Sequence, residues 1–180
     1  MTLALDVAAT HFYDGASYRL AAEAGRSLTS GEMIDVLESL CDDFPLTSIE
    51  DGLAEEDWDG WRELTKRLGS RVQIVGDDLL ATSPQRISQA IDRGVANAVL
   101  VKVNQVGTLT ETFQTMRLAE QAGYRRVISA RSGETEDTTL ADLAVGVAGD
   151  QIKIGSIVRS ERLAKYNQLL RIEEDFRSRP

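Results

Sequence analysis

Short runs of aliphatic and β-branched residues alternate along the chain with segments of helical periodicity. The runs lie at residues 3–7, 47–51, 72–78, 97–102, 125–130 and 151–155. From the second run onward they recur roughly every 25 residues, the spacing expected when strands alternate with helices. Because several runs are apolar on both faces, the pattern predicts parallel strands covered by helices.

The intervening segments carry helix start and stop signals. Ser83 followed by Pro84 predicts a helix start, and Gly123 predicts the end of a helix over residues 108–122. The last segment predicts an amphipathic helix with four large side chains near one face: Leu163, Tyr166, Leu170 and Ile172.

The evenness of the six βα units favours a (β/α) barrel over a doubly wound sheet. No GxGxxG motif follows the first run, which argues against a dinucleotide-binding sheet. A complete eight-stranded barrel typically needs about 250 residues, whereas this chain has 180. We therefore expect an α/β fold, an incomplete TIM-type (β/α) barrel of about six βα units, forming a single domain over residues 1–180.

Composition excludes several classes of protein. The formal net charge of −9 argues against nucleic acid or an anionic membrane as the main partner. No stretch approaches the roughly 18 apolar residues of a membrane helix, and the first residues lack the basic region of a signal peptide. Cys41, the single cysteine, permits no internal disulfide and fits a reducing cytoplasm. The single histidine, His11, leaves little basis for histidine-based zinc sites or Ser-His-Asp chemistry.

Acidic residues stand at the ends of the first three runs. Asp6, Glu50 and Asp77 occupy these positions, and the carboxyl ends of parallel barrel strands are where functional side chains collect. Three carboxylates together make a hard, oxygen-rich site suited to Mg²⁺. The alternative is that each acid caps a helix or is a solvated loop residue.

Cationic residues stand at the ends of the remaining runs. Lys102 ends an apolar run, where desolvation and a nearby dication would favour its neutral form and make it a general base; the alternative is a lysine that extends to solvent. Arg131, Ser132 and Lys153 can clamp a phosphate and a carboxylate. Together these groups suggest proton abstraction beside a carboxylate, with the metal stabilising the resulting charge.

Long ordered motifs then resemble a known family. The segments SIEDGLAEEDWDGW, VGDDLLAT, LVKVNQVGTLTET, ISARSGETEDT and QIKIGSIVRSERLAKYNQLLRIEE closely resemble the C-terminal part of enolase (phosphopyruvate hydratase). The resemblance covers essentially the whole chain. It implies the last six βα units of an eight-stranded barrel, without the family's N-terminal domain and first barrel strands.

The resemblance also implies a role for each residue at a strand end. Metal ligands fall on Asp6, Glu50 and Asp77, and the last two also face the substrate. The lysine base that takes the C2 proton of 2-phosphoglycerate falls on Lys102. The other substrate-binding residues are two phosphate contacts and a lysine for the substrate carboxylate: Arg131, Ser132 and Lys153.

Two departures from the family pattern lead to different hypotheses. The family has an active-site histidine where this chain has Ala130, and its N-terminal part, which supplies acid chemistry and a closing loop, has no counterpart here. The first hypothesis is an enolase-type lyase completed by a separate N-terminal half. In an equally plausible version of this hypothesis, the lyase acts on a phosphonate analogue, because Ala130 enlarges the pocket. A second hypothesis is a non-catalytic module that pairs with full-length enolase. A third is that the chain is a fragment of a longer product.

Remaining signals favour structural roles. Glu134, Glu136 and Asp137 precede a predicted helix around residues 138–147, where carboxylates favour the positive end of the helix dipole. Trp58 and Trp61 have the spacing of helical neighbours and are expected to pack against the sheet, and Cys41 is expected to fill the core.

Overall fold

The computed structural model describes residues 1–178 as a curled sheet surrounded by helices. The strands are β1 (Leu3–Asp6), β2 (Tyr18–Leu20), β3 (Arg26–Leu28), β4 (Leu46–Glu50), β5 (Gln73–Gly76), β6 (Ala98–Val101), β7 (Arg125–Ser129) and β8 (Gln151–Lys153). The α-helices are α1 (Ser30–Asp43), α2 (Trp58–Leu68), α3 (Pro84–Arg93), α4 (Val103–Val106), α5 (Leu109–Gln121), α6 (Thr139–Gly146) and α7 (Ser160–Ser178).

Six of the strands form one parallel sheet in the order β1-β4-β5-β6-β7-β8. The order follows the chain without reversal, and each connection between neighbours runs through at least one helix. These features confirm the predicted incomplete (β/α) barrel. Within residues 1–178, β1 pairs only with β4 and β8 only with β7, so the sheet has two open edges.

The remaining two strands form an antiparallel hairpin that the sequence pattern did not predict. β2 and β3 are three residues each, too short for a clear alternation of polar and apolar positions. Tyr18 of β2 is fully buried, and its hydroxyl donates to the Asp57 carboxylate at 2.7 Å while accepting the N–H of Ala54 at 3.0 Å. The hairpin is thereby attached to the loop between β4 and α2.

The predicted helix signals operate as expected. Ser83 caps α3 by accepting the N–H of Arg86, and Pro84 is the first helical residue. α5 ends at Gln121, and Gly123 adopts the left-handed conformation with φ of +76°. Glycine reaches this conformation without the steric cost of a Cβ atom, which explains why the helix stops there.

The apolar side of α7 is more exposed than an amphipathic pattern suggests. Leu163 is 38% exposed and Leu170 is 58% exposed, whereas Tyr166 and Ile172 are partly buried. α7 packs against α6 and follows the edge strand β8. Among the described residues, no further βα unit lies beyond this edge to cover the helix.

The core lies between the sheet and the helices. Trp61 is fully buried, and Trp58 is partly buried against the core with Arg86 and Arg93 over its ring, at 5.4 and 5.1 Å from the ring centroid. Cys41 is partly buried against the same core, as predicted. In the described part of the chain, no helix is both long enough and apolar enough to span a bilayer.

Candidate active site

The predicted site residues meet at the carboxyl end of the sheet. Asp6, Glu50 and Lys153 are the last residues of β1, β4 and β8, while Asp77 and Lys102 directly follow β5 and β6. The loop after β7 adds Ala130, Arg131 and Ser132. All of these residues except Glu50 line a cavity of about 400 Å³. Parallel pairing explains the convergence, because all these strands end on the same side of the sheet.

Lys153 joins two of the carboxylates. Its Nζ lies 2.7 and 2.8 Å from the two carboxylate oxygens of Glu50 and 3.0 Å from Oδ2 of Asp6. Glu50 is buried, whereas Asp6 and Lys153 are each about half exposed. The register brings these groups together, since Asp6 pairs with Glu50 across β1 and β4.

A second ion pair joins the central strands. Lys102 Nζ donates to Asp77 Oδ2 at 2.6 Å, and both side chains are largely buried. The other carboxylate oxygen of Asp77, Oδ1, is buried and accepts no hydrogen bond from any described residue. A buried carboxylate oxygen without a donor is costly, so this atom is suited to receive a cation.

The clustered charges shift the ionisation of two groups. Burial raises the pKa of Glu50 to about 7; contact with Lys153 opposes this rise, and the nearby Asp6 and Asp77 add to it. Burial alone lowers the pKa of Lys153, but its hydrogen bonds to Glu50 and Asp6 outweigh burial and raise that pKa above its ordinary value. The ammonium of Lys153 therefore stays charged while Glu50 titrates near neutrality.

Asp51 supports the site but was missed by the sequence reasoning, which took one acid per strand end. Its two carboxylate oxygens accept the backbone N–H groups of Asp77 at 2.9 Å and Asp78 at 2.8 Å. Burial raises the pKa of Asp51 to about 6, although these hydrogen bonds oppose the rise. The adjacency of two acids in the sequence IED was the available signal.

Two different acidic groups therefore lie near one another. Carboxylate oxygens of Asp51, Asp77 and Asp78 all lie within 4.8 Å of one another. The predicted ligand set, Asp6 with Glu50 and Asp77, is instead spread across three strand ends. In the first group Asp51 already accepts two backbone N–H groups, and in the predicted set both oxygens of Glu50 accept from Lys153. Asp77 belongs to both groups, and its unpaired Oδ1 is the oxygen best suited to a hard cation such as Mg²⁺.

The loop after β7 presents Arg131 and Ser132. Arg131 Nη1 donates to Asn104 Oδ1 at 2.9 Å, and the Arg131 backbone N–H donates to Glu134 Oε1 at 2.8 Å. The N–H of Ala130 donates to the carbonyl of Lys153 at 2.9 Å, which ties this loop to β8. The small side chain of Ala130 lines the cavity beside Arg131.

The acids after Gly133 divide between two tasks. Asp137 accepts the N–H of Thr139 at 2.8 Å at the start of α6, as the helix-dipole argument predicted. Glu134 differs, because it pairs with Lys165 of α7 at 3.0 Å and accepts the N–H of Arg131. Its role is to hold the loop, and the expectation of a simple effect on the helix dipole was wrong for this residue.

Comparison with known proteins places these observations in a family. Residues 1–179 match the family model described as "Enolase, C-terminal TIM barrel domain". The chain is 61% identical over 173 residues to the enolase of Rubrobacter xylanophilus, and the match covers 96% of this chain and 40% of that protein. The chain thus spans about 40% of the length of this curated relative.

Proposed function

Since the chain belongs to the enolase family, we propose that it supplies the base, the metal ligands and the substrate clamp of an enolase-type lyase. The proposed reaction removes water from 2-phosphoglycerate to give phosphoenolpyruvate. The observation that carries this proposal is the buried pair of Lys102 and Asp77, which opens on a cavity also lined by Arg131 and Lys153. The pair brings a candidate base beside a candidate metal ligand, opposite cationic groups that suit an anionic substrate.

Asp6, Glu50 and Asp77 are the proposed ligands of Mg²⁺. All three offer carboxylate oxygens, the donors that Mg²⁺ prefers, and Asp77 Oδ1 is buried without a hydrogen-bond donor in residues 1–178. Mg²⁺ bound there supplies positive charge for the negative charge that develops on the substrate carboxylate when the C2 proton leaves. Asp77, which lines the cavity, and Glu50, which contacts the cavity-lining Lys153, also bind the substrate in this proposal.

The side chains of this chain divide the remaining work. Lys102 Nζ removes the C2 proton, and Arg131 with Ser132 holds the phosphate. Lys153 is proposed to bind the substrate carboxylate, because it is a cation that lines the cavity. Guanidinium and ammonium groups on separate strand ends hold the two anionic ends of the substrate apart, which orients the C2–H bond toward Lys102.

The departing hydroxyl needs a proton donor, and the resemblance to enolase assigns that acid chemistry to the family's N-terminal part. Ala130 has no titratable group, and His11 is exposed in a short helical turn after β1. We therefore propose that the acid comes from a separate polypeptide, either an enolase N-terminal half or full-length enolase. The lone cysteine, Cys41, also leads us to propose a cytoplasmic location.

The open side of the barrel favours such a protein partner. A cleft of about 490 Å³, which we name the edge cleft, is lined by residues of both edge strands, including Leu3 and Ile152, and by residues of β4, β5 and β7 between them. Unpaired strand edges and exposed apolar surface favour association with another chain. A non-catalytic module that binds full-length enolase would use this same surface.

A phosphonate analogue is the second candidate substrate. The observation that favours it is Ala130, which lines the cavity beside the proposed phosphate ligand Arg131. Alanine leaves more room and one cationic group fewer than the family histidine. We expect Ala130→His to raise turnover of 2-phosphoglycerate relative to phosphonate if the phosphonate is the natural substrate.

The proposal is tested by following phosphoenolpyruvate formation from 2-phosphoglycerate with Mg²⁺. The chain is assayed alone and with the N-terminal half of the Rubrobacter xylanophilus enolase, in both cases beside Lys102→Ala. We expect turnover only with the added half and a loss of about 10²–10⁴-fold in Lys102→Ala, the range for removal of a general base. Lys66→Ala, at an exposed lysine of α2, is the control and should match the wild type. Undiminished turnover in Lys102→Ala would refute the proposal, as would an assembled but inactive complex.

A further inference from the structure

Arg162 of α7 connects the two loops that carry the proposed substrate clamp. Its Nη1 donates to the carbonyl of Arg131 at 2.8 Å and to the carbonyl of Ile154 at 2.9 Å, and its Nη2 donates to the carbonyl of Ser132 at 2.9 Å. One planar group thus joins the loop after β7 to the loop after β8. Lysine has no such fork and cannot reproduce this geometry.

Gly155 makes room for this contact. The residue has φ of +117°, and a Cβ placed there would lie 3.3 Å from Cδ and Nε of Arg162. The backbone after β8 therefore passes close against the arginine side chain. Both the conformation and the close approach favour glycine.

Lys165, about one turn further along α7, also contacts the loop after β7. It is only 1% exposed, and its Nζ contacts the carbonyl of Thr135 at 2.8 Å, the carbonyl of Glu161 at 3.0 Å and Oε2 of Glu134 at 3.0 Å. These three acceptors match the three donors of an ammonium group, which allows a charge to be buried. Glu134 links Lys165 to Arg131, because its other carboxylate oxygen, Oε1, accepts the backbone N–H of Arg131.

These contacts fix a part of the site that the sheet alone holds weakly. Arg131 and Ser132 lie beyond the end of β7, and Lys153 ends the edge strand β8, which has no outer neighbour among the described residues. Binding a phosphate and a carboxylate at once requires the donors to be held at a fixed separation. Direct attraction of an anion by Arg162 is a competing role, since Arg162 also lines the cavity.

We infer that Arg162 is a positioning residue that sets the placement of Arg131 and Ser132 relative to Lys153, with the Lys165–Glu134 pair as the second anchor of the same loop. The inference rests on the proposed function, because it assigns phosphate binding to Arg131 and Ser132. Arg162 contacts backbone carbonyls, so the shape of its guanidinium group matters more than its charge. Arg162→Lys separates these two properties, because lysine keeps the charge and loses the fork.

Amide hydrogen exchange of the chain tests the anchoring itself. We compare Arg162→Lys and Arg162→Gln with Arg171→Gln, which removes an exposed arginine elsewhere on α7. In both Arg162 variants we expect the amide of Arg131 to exchange about tenfold faster, while the amides of β6 keep their wild-type rates. Wild-type exchange at Arg131 in both variants would overturn the inference. Lys165 is left in place because its complete burial makes replacement a threat to the fold.

Binding of inorganic phosphate, followed by NMR titration, tests the consequence for the site. Arg131→Gln identifies binding at the proposed phosphate site. We expect Arg162→Lys to weaken phosphate binding about tenfold and Arg171→Gln to leave it unchanged. If Arg162→Lys binds phosphate with wild-type affinity, the positioning role of Arg162 is overturned, while the proposed phosphate site at Arg131 is unaffected. If the wild-type chain binds no phosphate while Arg162→Lys still accelerates exchange at Arg131, the proposed phosphate site fails and the anchoring role stands.

Discussion

The centre and the edges of the sheet differ in how completely this chain builds them. Every residue of β5 and β6 is buried, whereas the edge strands β1 and β8 contain no buried residue. The ion pairs at the strand ends follow the same division. The Asp77 and Lys102 side chains are 13% and 14% exposed at a separation of 2.6 Å, whereas those of Asp6 and Lys153 are 48% and 42% exposed at 3.0 Å.

This difference teaches which half of the site is preorganised. Central strands have neighbours on both sides and helices over them, so their side chains are held by packing within the chain. Edge strands depend on whatever covers the open side of the barrel. The central pair should therefore behave as part of the fold, and the edge pair as a surface contact until a partner covers it.

The largest expected difference in the free energy of unfolding concerns two isoleucines, each the second residue of its strand. Ile74 of β5 is fully buried, and Ile152 of β8 is partly exposed. We expect Ile74→Ala to lower the free energy of unfolding by about 3 kcal/mol, because it removes contacts and leaves a cavity. Ile152→Ala should cost about 1 kcal/mol because less apolar surface is lost. Urea denaturation measures both, and equal costs would contradict the division between centre and edge.

Replacement of one acid in each ion pair gives a smaller difference. Asp77→Asn leaves the ammonium of Lys102 buried without a counter-charge, although the amide oxygen can still accept its hydrogen bond. We expect a loss of about 2 kcal/mol in the free energy of unfolding. Asp6→Asn acts on a half-exposed pair and should cost about 0.5 kcal/mol. A larger loss in Asp6→Asn than in Asp77→Asn would show that the edge pair is the more structural one.

The pH dependence of stability provides a third contrast, between a buried acid and a half-exposed one. The pKa of Glu50 is raised to about 7 from 4.5 by burial, so the folded state binds this proton more tightly than the unfolded state. Its contribution to the free energy of unfolding is present below about pH 4.5 and is lost as the pH rises through about 7. Glu50→Gln should remove this part of the dependence, while Asp6→Asn should retain most of it, because burial raises the pKa of Glu50 more than the nearby Asp6 does. Matching pH profiles for Glu50→Gln and the wild type would contradict the assignment.

The sequence predicted the elements with regular patterns and missed contacts that depend on tertiary placement. Apolar runs predicted all six parallel strands, and the motif at each strand end predicted which side chains would meet. Nothing in the spacing indicated that Asp51 would accept two backbone N–H groups or that Arg162 would donate to three carbonyls. Such contacts join segments far apart in sequence through the backbone, which carries no residue-specific signal.

The edge surfaces show a different limit of sequence reasoning. The apolar spacing of α7 correctly indicated a helix, but Leu163 remains more than one-third exposed and Leu170 more than half exposed. Periodicity reports that a face is suited to burial and does not report what buries it. The same holds for the edge cleft, whose lining combines apolar and polar residues from β1 and β8. Both surfaces fit the proposal that another polypeptide completes the barrel.

Amide hydrogen exchange with and without the N-terminal half of the Rubrobacter xylanophilus enolase tests the central claim most directly. The claim is that the edges of this half-barrel, and the site residues on them, are completed by another polypeptide. We expect the amides of β1 and β8 to become strongly protected when that half is added, while those of β5 and β6 change little. Unchanged exchange in β1 and β8 within a complex shown to be assembled would contradict the claim, because the partner would then bind elsewhere.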